Sequence, residues 1–166
     1  MELEKYKLIF SGETQLKITF TLEWVSGPKK AMEQINRKLY VIKQGERFLY
    51  VGEANCPIVT RLRRGFNSYR YFVKNGKGRG GYQGYKWIKL SDSEVPPEIN
   101  VYVLVFEEKH DKFRGFVEAV EGELVYLIRR ETLQWPEFQN EIHFNNEKGS
   151  GQIAEEVFAK LKTTSA

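Results

Sequence analysis

The sequence predicts a mixed α/β (α+β) domain: a small, mainly antiparallel central sheet flanked by helices, with an N-terminal β extension. Three observations carry that reading. Ile18, Phe20, Leu22 and Trp24 alternate with polar residues, the period-2 pattern of a half-buried strand. LYVIK (39–43) and RFLYVG (47–52) flank a Gln44-Gly45 turn signal, which reads as a β-hairpin. Phe116, Val117, Val120, Leu124, Leu127 and Ile128 recur at helical spacing.

In chain order, residues 6–10 and 17–24 read as the strands of a β extension covering residues 1–30. Ser26-Gly27-Pro28 breaks the chain, and 30–37 have room for one or two helical turns. The hairpin 39–52 follows. Pro57 suits a first helical turn, where its missing N–H costs nothing, and that helix is expected to stop at Gly65. Residues 66–86 interleave glycine, aromatic and basic residues and read as a long basic loop. A strand at 86–90, a central apolar strand at 99–107, a helix at 114–131, a short extended piece within 135–144 and a last helix at 152–162 complete residues 31–166.

The 166 residues are enough for one compact domain. No run of about 18 apolar residues is present, so no membrane span is expected. The single Cys56 excludes an internal disulfide and a cysteine-rich zinc site, and a cytoplasmic, reducing compartment is expected. Metal-helix, CxxC and P-loop patterns are absent.

The net charge of +4 is modest, but its placement is uneven. Between Arg61 and Lys89 lie Arg63, Arg64, Arg70, Lys74, Lys77, Arg79 and Lys86, with no Asp or Glu; the rest of the chain is net acidic. Phe66, Tyr69, Tyr71, Phe72, Tyr82, Tyr85 and Trp87 are interspersed. Cations to neutralise phosphates, glycines for close approach and aromatics for stacking point to nucleic acid. Arg63, Arg64, Arg70, Lys74, Lys77 and Arg79 are the candidate binding residues.

The ordered set KLYVIK, FLYVG, RLRRGF, EGELV and WPEFQN, over roughly 38–144, resembles the GIY-YIG nuclease family. The resemblance implies a GIY-YIG-like fold and an endonuclease, a hydrolase of DNA phosphodiester bonds, with Mg²⁺ or Mn²⁺ as cofactor. Tyr40 stands for the Tyr of GIY and Tyr50 for the first Tyr of YIG, with Gly52 as its glycine. Arg61 stands for the catalytic arginine, Glu121 for the metal-binding glutamate and Asn140 for the asparagine that follows. Lys38 replaces the family's first glycine, and the intervals 52–61 and 121–140 are longer than the family pattern.

These residue types suit the chemistry. A guanidinium forks onto a phosphate, a carboxylate holds a divalent ion, and either tyrosine can orient water or take its proton. Both tyrosines serve only if they face one pocket, so an odd-length loop or a bulge is expected at 43–46 rather than a plain two-residue turn. Val117, Leu124, Val125 and Ile128 are the helical neighbours of Glu121, which makes its carboxylate costly unless paired or metal-bound. Glu123 is second choice for the metal, and Glu118 is expected in solvent. Gln139 is the rival of Asn140, and His143 reads as structural. The alternative function is a non-catalytic nucleic-acid-binding module with the same surface. DNA is the expected partner, RNA the second candidate, and a homodimer is one route to specificity.

Overall fold

A computed structural model of the chain describes residues 1–80, 83–140 and 142–163. Five strands form one sheet: β1 (Glu4–Ser11), β2 (Thr19–Ser26), β3 (Lys38–Gln44), β4 (Arg47–Ala54) and β5 (Ile99–Val105). Their order is β2-β1-β5-β3-β4, with every neighbouring pair antiparallel. The helices are α1 (Ile58–Asn75), the short α2 (Glu108–Asp111), α3 (Arg114–Thr132) and α4 (Ser150–Thr163). None is long and apolar enough to cross a membrane.

The apolar β5 is the middle strand, as its composition demands: both of its faces are covered. Alternation sorts the side chains into two cores. Tyr6, Leu8, Tyr40, Ile42, Val101 and Val103 pack on one face with Ile58, Leu62 and Phe66 of α1. Leu39, Val41, Val51, Tyr102 and Leu104 pack on the other with α3 and α4. The first two strands extend this same sheet, with β1 beside β5.

Sequence expectation and structure part in the segment after Gly65. The helix does not stop there. Ile58, Leu62, Phe66 and Tyr69 fall on one buried stripe, so burial carries α1 through the glycine to Asn75. Gly76, at φ 70°, ends it, its N–H bonding to the Phe72 carbonyl at 2.8 Å. What reads as a loop over 66–86 is therefore half helix. The segment Lys86–Asp92 is a 3-10 helix rather than a strand, with Trp87 and Ile88 buried against α1. Tyr82 lies outside the described residues.

The β3–β4 hairpin turns on Gly45-Glu46, and Gln44 pairs with Arg47. A regular ladder would then set Tyr50 opposite Val41, on the face away from Tyr40. Instead the register slips between Ile42 and Lys43: Lys43 pairs with Phe48, but Ile42 pairs with Tyr50. The bulge at Leu49 puts Tyr40 and Tyr50 on one face.

No strand forms within 135–144 among the described residues, yet this segment closes the outer edge of β4. Glu137 and Phe138 donate their N–H groups to the Phe48 and Leu49 carbonyls. The Gln139 side chain completes the line: its Oε1 accepts from Val51 N at 2.9 Å and its Nε2 donates to Val51 O at 3.0 Å. Gln139→Ala removes both bonds and is expected to cost about 1–2 kcal/mol in denaturant unfolding.

Among the buried ionisable side chains, Glu4 and Lys38 are anchored by backbone. Glu4 is 1 % exposed, takes the N–H groups of Lys30 and Ala31, and accepts the Tyr6 hydroxyl. That burial and the adjacent carboxylate push the Tyr6 phenol far up. Lys38, the residue that replaces a glycine of the expected motif, curls back to donate to the carbonyls of Gln34 and Asn36. It thereby ties the entry of β3, at a lowered pKa caused chiefly by burial.

Candidate functional site

A cleft of about 320 Å³ opens at the β4 side of the sheet. It is lined by Tyr50, Glu53, Arg61, Arg114, Glu118, Glu121, Asn140 and His143, with Gln83 and Gly84 at its rim. Tyr50 and Arg61 reach it from the α1 layer, and Arg114, Glu118 and Glu121 from α3, so the cleft spans the edge of the sheet.

Tyr40 does not line the cleft; it stands behind, 2 % exposed, and joins through Arg61. Arg61 Nε donates to the Tyr40 hydroxyl at 3.2 Å. The two phenol rings lie 6.0 Å apart between centroids, tilted 43°. Gly52 makes this packing sterically feasible. A Cβ there would sit 2.7 Å from the Tyr40 hydroxyl and 2.7 Å from a Tyr50 ring carbon. Gly52→Ala is therefore expected to cost about 1–3 kcal/mol and to displace the Arg61 anchor, read as a lowered unfolding midpoint.

The opposite wall is acidic. Glu53 on β4 alternates away from Gly52 toward α3 and pairs with Arg37, whose own backbone N–H bonds to Asp111 at 2.5 Å. Glu118 pairs with Arg114 at 2.8 Å, one helical turn away. Among the described residues no hydrogen bond or ion pair reaches Glu121. Burial first, then the Glu53 and Glu118 charges, push its carboxyl from the ordinary 4.5 up to about 8, against the opposing pull of Arg61 and Arg114.

The structure thus brings Tyr50, Arg61, Glu121 and Asn140 to one cleft, with Tyr40 one hydrogen bond behind. Gln139 is occupied on β4, which leaves Asn140 rather than Gln139 at the cleft. Glu123 is not among the lining residues. Two expectations are corrected. Glu118 lies in the cleft rather than in solvent, because it sits three residues before Glu121 on the face that β4 overlooks. His143 is exposed at the cleft rather than held in a core. The chain there runs against α3 at Gly122, where a Cβ would meet the His143 carbonyl oxygen at 2.9 Å. Arg37, Glu53 and Arg114 were not anticipated from sequence; the Arg114, Glu118, Glu121 spacing of four and three was the available signal.

The basic residues do not form one surface. On α1, Arg61 and Arg64 project from one shoulder and Arg63, Arg70 and Lys74 from the other, since residues three and four apart share a face. Arg64 lies 3.9 Å from Cys56 Sγ. Arg70 is tied into the fold: it donates to the Ile18 carbonyl and to Asn67. Arg79 sits over the Tyr71 ring at 4.3 Å, and Lys77 is exposed.

Among the described residues no cluster of three or more His, Cys, Asp or Glu is arranged to hold a metal ion. A single unpaired carboxyl remains a suitable donor for Mg²⁺, which keeps most of its waters and binds through one or two carboxylates plus substrate phosphate. Burial and the neighbouring carboxylates, which together raise Glu121, are what a bound cation would offset. Comparison with family models, curated proteins and solved structures finds no match to this chain.

Proposed function

We propose that the chain is a metal-dependent endonuclease that hydrolyses DNA phosphodiester bonds, with a GIY-YIG-like site. One observation carries the reading: an unpaired carboxyl raised to about 8 shares a single cleft with an anchored guanidinium and a tyrosine. A structural carboxyl with that environment would be expected to carry an ion pair, as Glu53 and Glu118 do.

In this reading Glu121 holds Mg²⁺ or Mn²⁺, which when bound supplies electrostatic stabilisation to a leaving oxygen. Arg61 presents N–H groups to the phosphate, where charge grows in the transition state. Its Nε is held by Tyr40, so the fork is pre-set rather than assembled on binding. Tyr50 walls the cleft and takes the water-holding or proton-accepting role. Asn140 supplies an amide to substrate, and Arg114 a second cation released when Glu118 changes partners. Arg64, on the Arg61 side of α1, and the exposed Arg79 would steady the duplex backbone.

The test is nicking of supercoiled plasmid with Mg²⁺ or Mn²⁺, followed on agarose, with Glu121→Gln and Arg61→Ala alongside. Metal-dependent nicking by the wild type alone supports the proposal. Tight, salt-dependent binding with no cleavage of any DNA or RNA would replace it with the non-catalytic module.

A further inference from the structure

Beyond the cleft, the outer shoulder of α1 meets the β1–β2 hairpin in a second groove of about 300 Å³. Phe20, Leu22 and Met32 form its floor, closed below by Phe66, and Arg63 and Arg70 its rim. The Phe20 and Phe66 rings lie 4.6 Å apart. Among the described residues, no acidic one lines it. Arg70 is held in place by the Ile18 carbonyl and Asn67, so one of its two cations is fixed before any ligand arrives. Trp24 continues the strip along β2. It shares the Phe20 and Leu22 face by alternation, pairs with Tyr6 across the hairpin, and is 47 % exposed. Lys74 follows Arg70 one turn along α1, and Lys77 lies just past the helix end.

We infer that this groove binds an unpaired nucleic-acid strand, the bases against Trp24 and Phe20 and the phosphates on Arg63, Arg70 and Lys74. The chemistry selects the ligand. An aromatic floor is useful only to a ligand with free π-faces, and the cationic rim selects a polyanion. A duplex offers the phosphates but keeps its base faces stacked inside. Trp24, Leu22 and Phe20 recur every two residues, about 6.6–6.8 Å along the strand, a spacing suited to a strand with its bases unstacked. The groove lies across α1 from the cleft, a helix width of about 10–12 Å. A strand leaving the cleft over Arg64 would reach it directly. The hairpin of residues 1–30 thereby gains a role: it supplies the stacking surface. This deepens the nuclease reading, on which the choice of nucleic acid as ligand rests.

The test uses the full chain in chelator, so that nothing is cut. Fluorescein-labelled oligothymidylate and a blunt duplex of equal length are titrated by anisotropy over a salt series. Trp24→Ala is expected to weaken single-strand binding by about fivefold to a hundredfold and to change duplex binding less than twofold. Arg63→Ala is expected to reduce the slope of log affinity against log salt for the single strand by about 0.7. Thermal melts confirm that both variants fold, and Glu23→Ala, on the opposite face of β2, leaves single-strand affinity unchanged. Unchanged single-strand affinity in Trp24→Ala, or equal losses on both probes, overturns the inference. So does a dimer that becomes a monomer on Trp24→Ala, which would make the strip an interface between copies. Plasmid nicking with metal is scored separately. Nicking without a Trp24 effect leaves the nuclease and removes the groove; a Trp24 effect without nicking does the reverse.

Discussion

Glu121→Gln is expected to abolish metal-dependent nicking while making the metal-free protein more stable at alkaline pH. The loss in rate should be about 10²–10⁴-fold, since an ion contributing several kcal/mol of transition-state stabilisation is no longer held. The stability change follows from the raised pKa. The carboxyl is ordinarily 4.5 and is about 8 in the fold. Below about pH 4.5 it is protonated in both folded and unfolded chains, and its contribution to stability is complete. As pH rises toward 8 the unfolded chain ionises and the folded one resists, so stability falls, and above 8 the loss is full. Partial exposure reduces the effect, to about 2–4 kcal/mol. Thermal melts of the wild type in chelator should fall from pH 5 to pH 8.5, and those of Glu121→Gln should be much flatter. Mn²⁺ should raise the wild-type midpoint at pH 8 and leave the variant unmoved. A metal-induced shift of equal size in both proteins would place the ion elsewhere.

Arg61→Ala is expected to lower the turnover number about 10²–10³-fold, the range for losing one pre-placed donor at a developing oxyanion. The Michaelis constant should change little, because Arg64 and Arg79 would still contact the duplex backbone. Arg61→Lys should not rescue it. Lysine carries the charge but cannot keep one N–H on the Tyr40 hydroxyl while presenting others to a phosphate. Tyr40→Phe should produce a smaller loss, about tenfold, confined to turnover, as befits a residue acting through Arg61. Single-turnover cleavage at saturating DNA separates these cases. Recovery of activity in Arg61→Lys would mean that charge alone is needed at this position.

The parts of the fold legible in the sequence were those fixed by local periodicity. The α3 stripe, the alternation in β2 and the apolar run of β5 each determine an element without reference to the rest of the chain. Same-face placement of Tyr40 and Tyr50 demanded an irregular hairpin, but not where it was expected: the turn at Gly45-Glu46 is a plain two-residue one, and the irregularity is the bulge at Leu49, beyond 43–46, where the register slips. The reading fell short where burial overrides a local stop signal. Gly65 reads as a helix end, yet Phe66 and Tyr69 continue the row of Ile58 and Leu62, and their burial offsets the cost of a glycine in mid-helix. At the site, Glu121 stood out because its helical neighbours are apolar. Glu118 and His143 could not be placed from their own elements. Their surroundings are made by β4 and by the passage of residue 143 over Gly122, contacts between segments far apart in sequence.

The slip at Leu49 also sets a rule for how this hairpin can vary among descendants of the same ancestor. Turn tips ordinarily accept insertions and deletions of any size. Here the tip at Gly45-Glu46 keeps that freedom, because a longer loop leaves the ladder beyond it unchanged, but the unpaired Leu49 does not. Losing one residue between Phe48 and Tyr50 would close the ladder without the bulge and turn Tyr50 to the far side of the sheet, away from Tyr40.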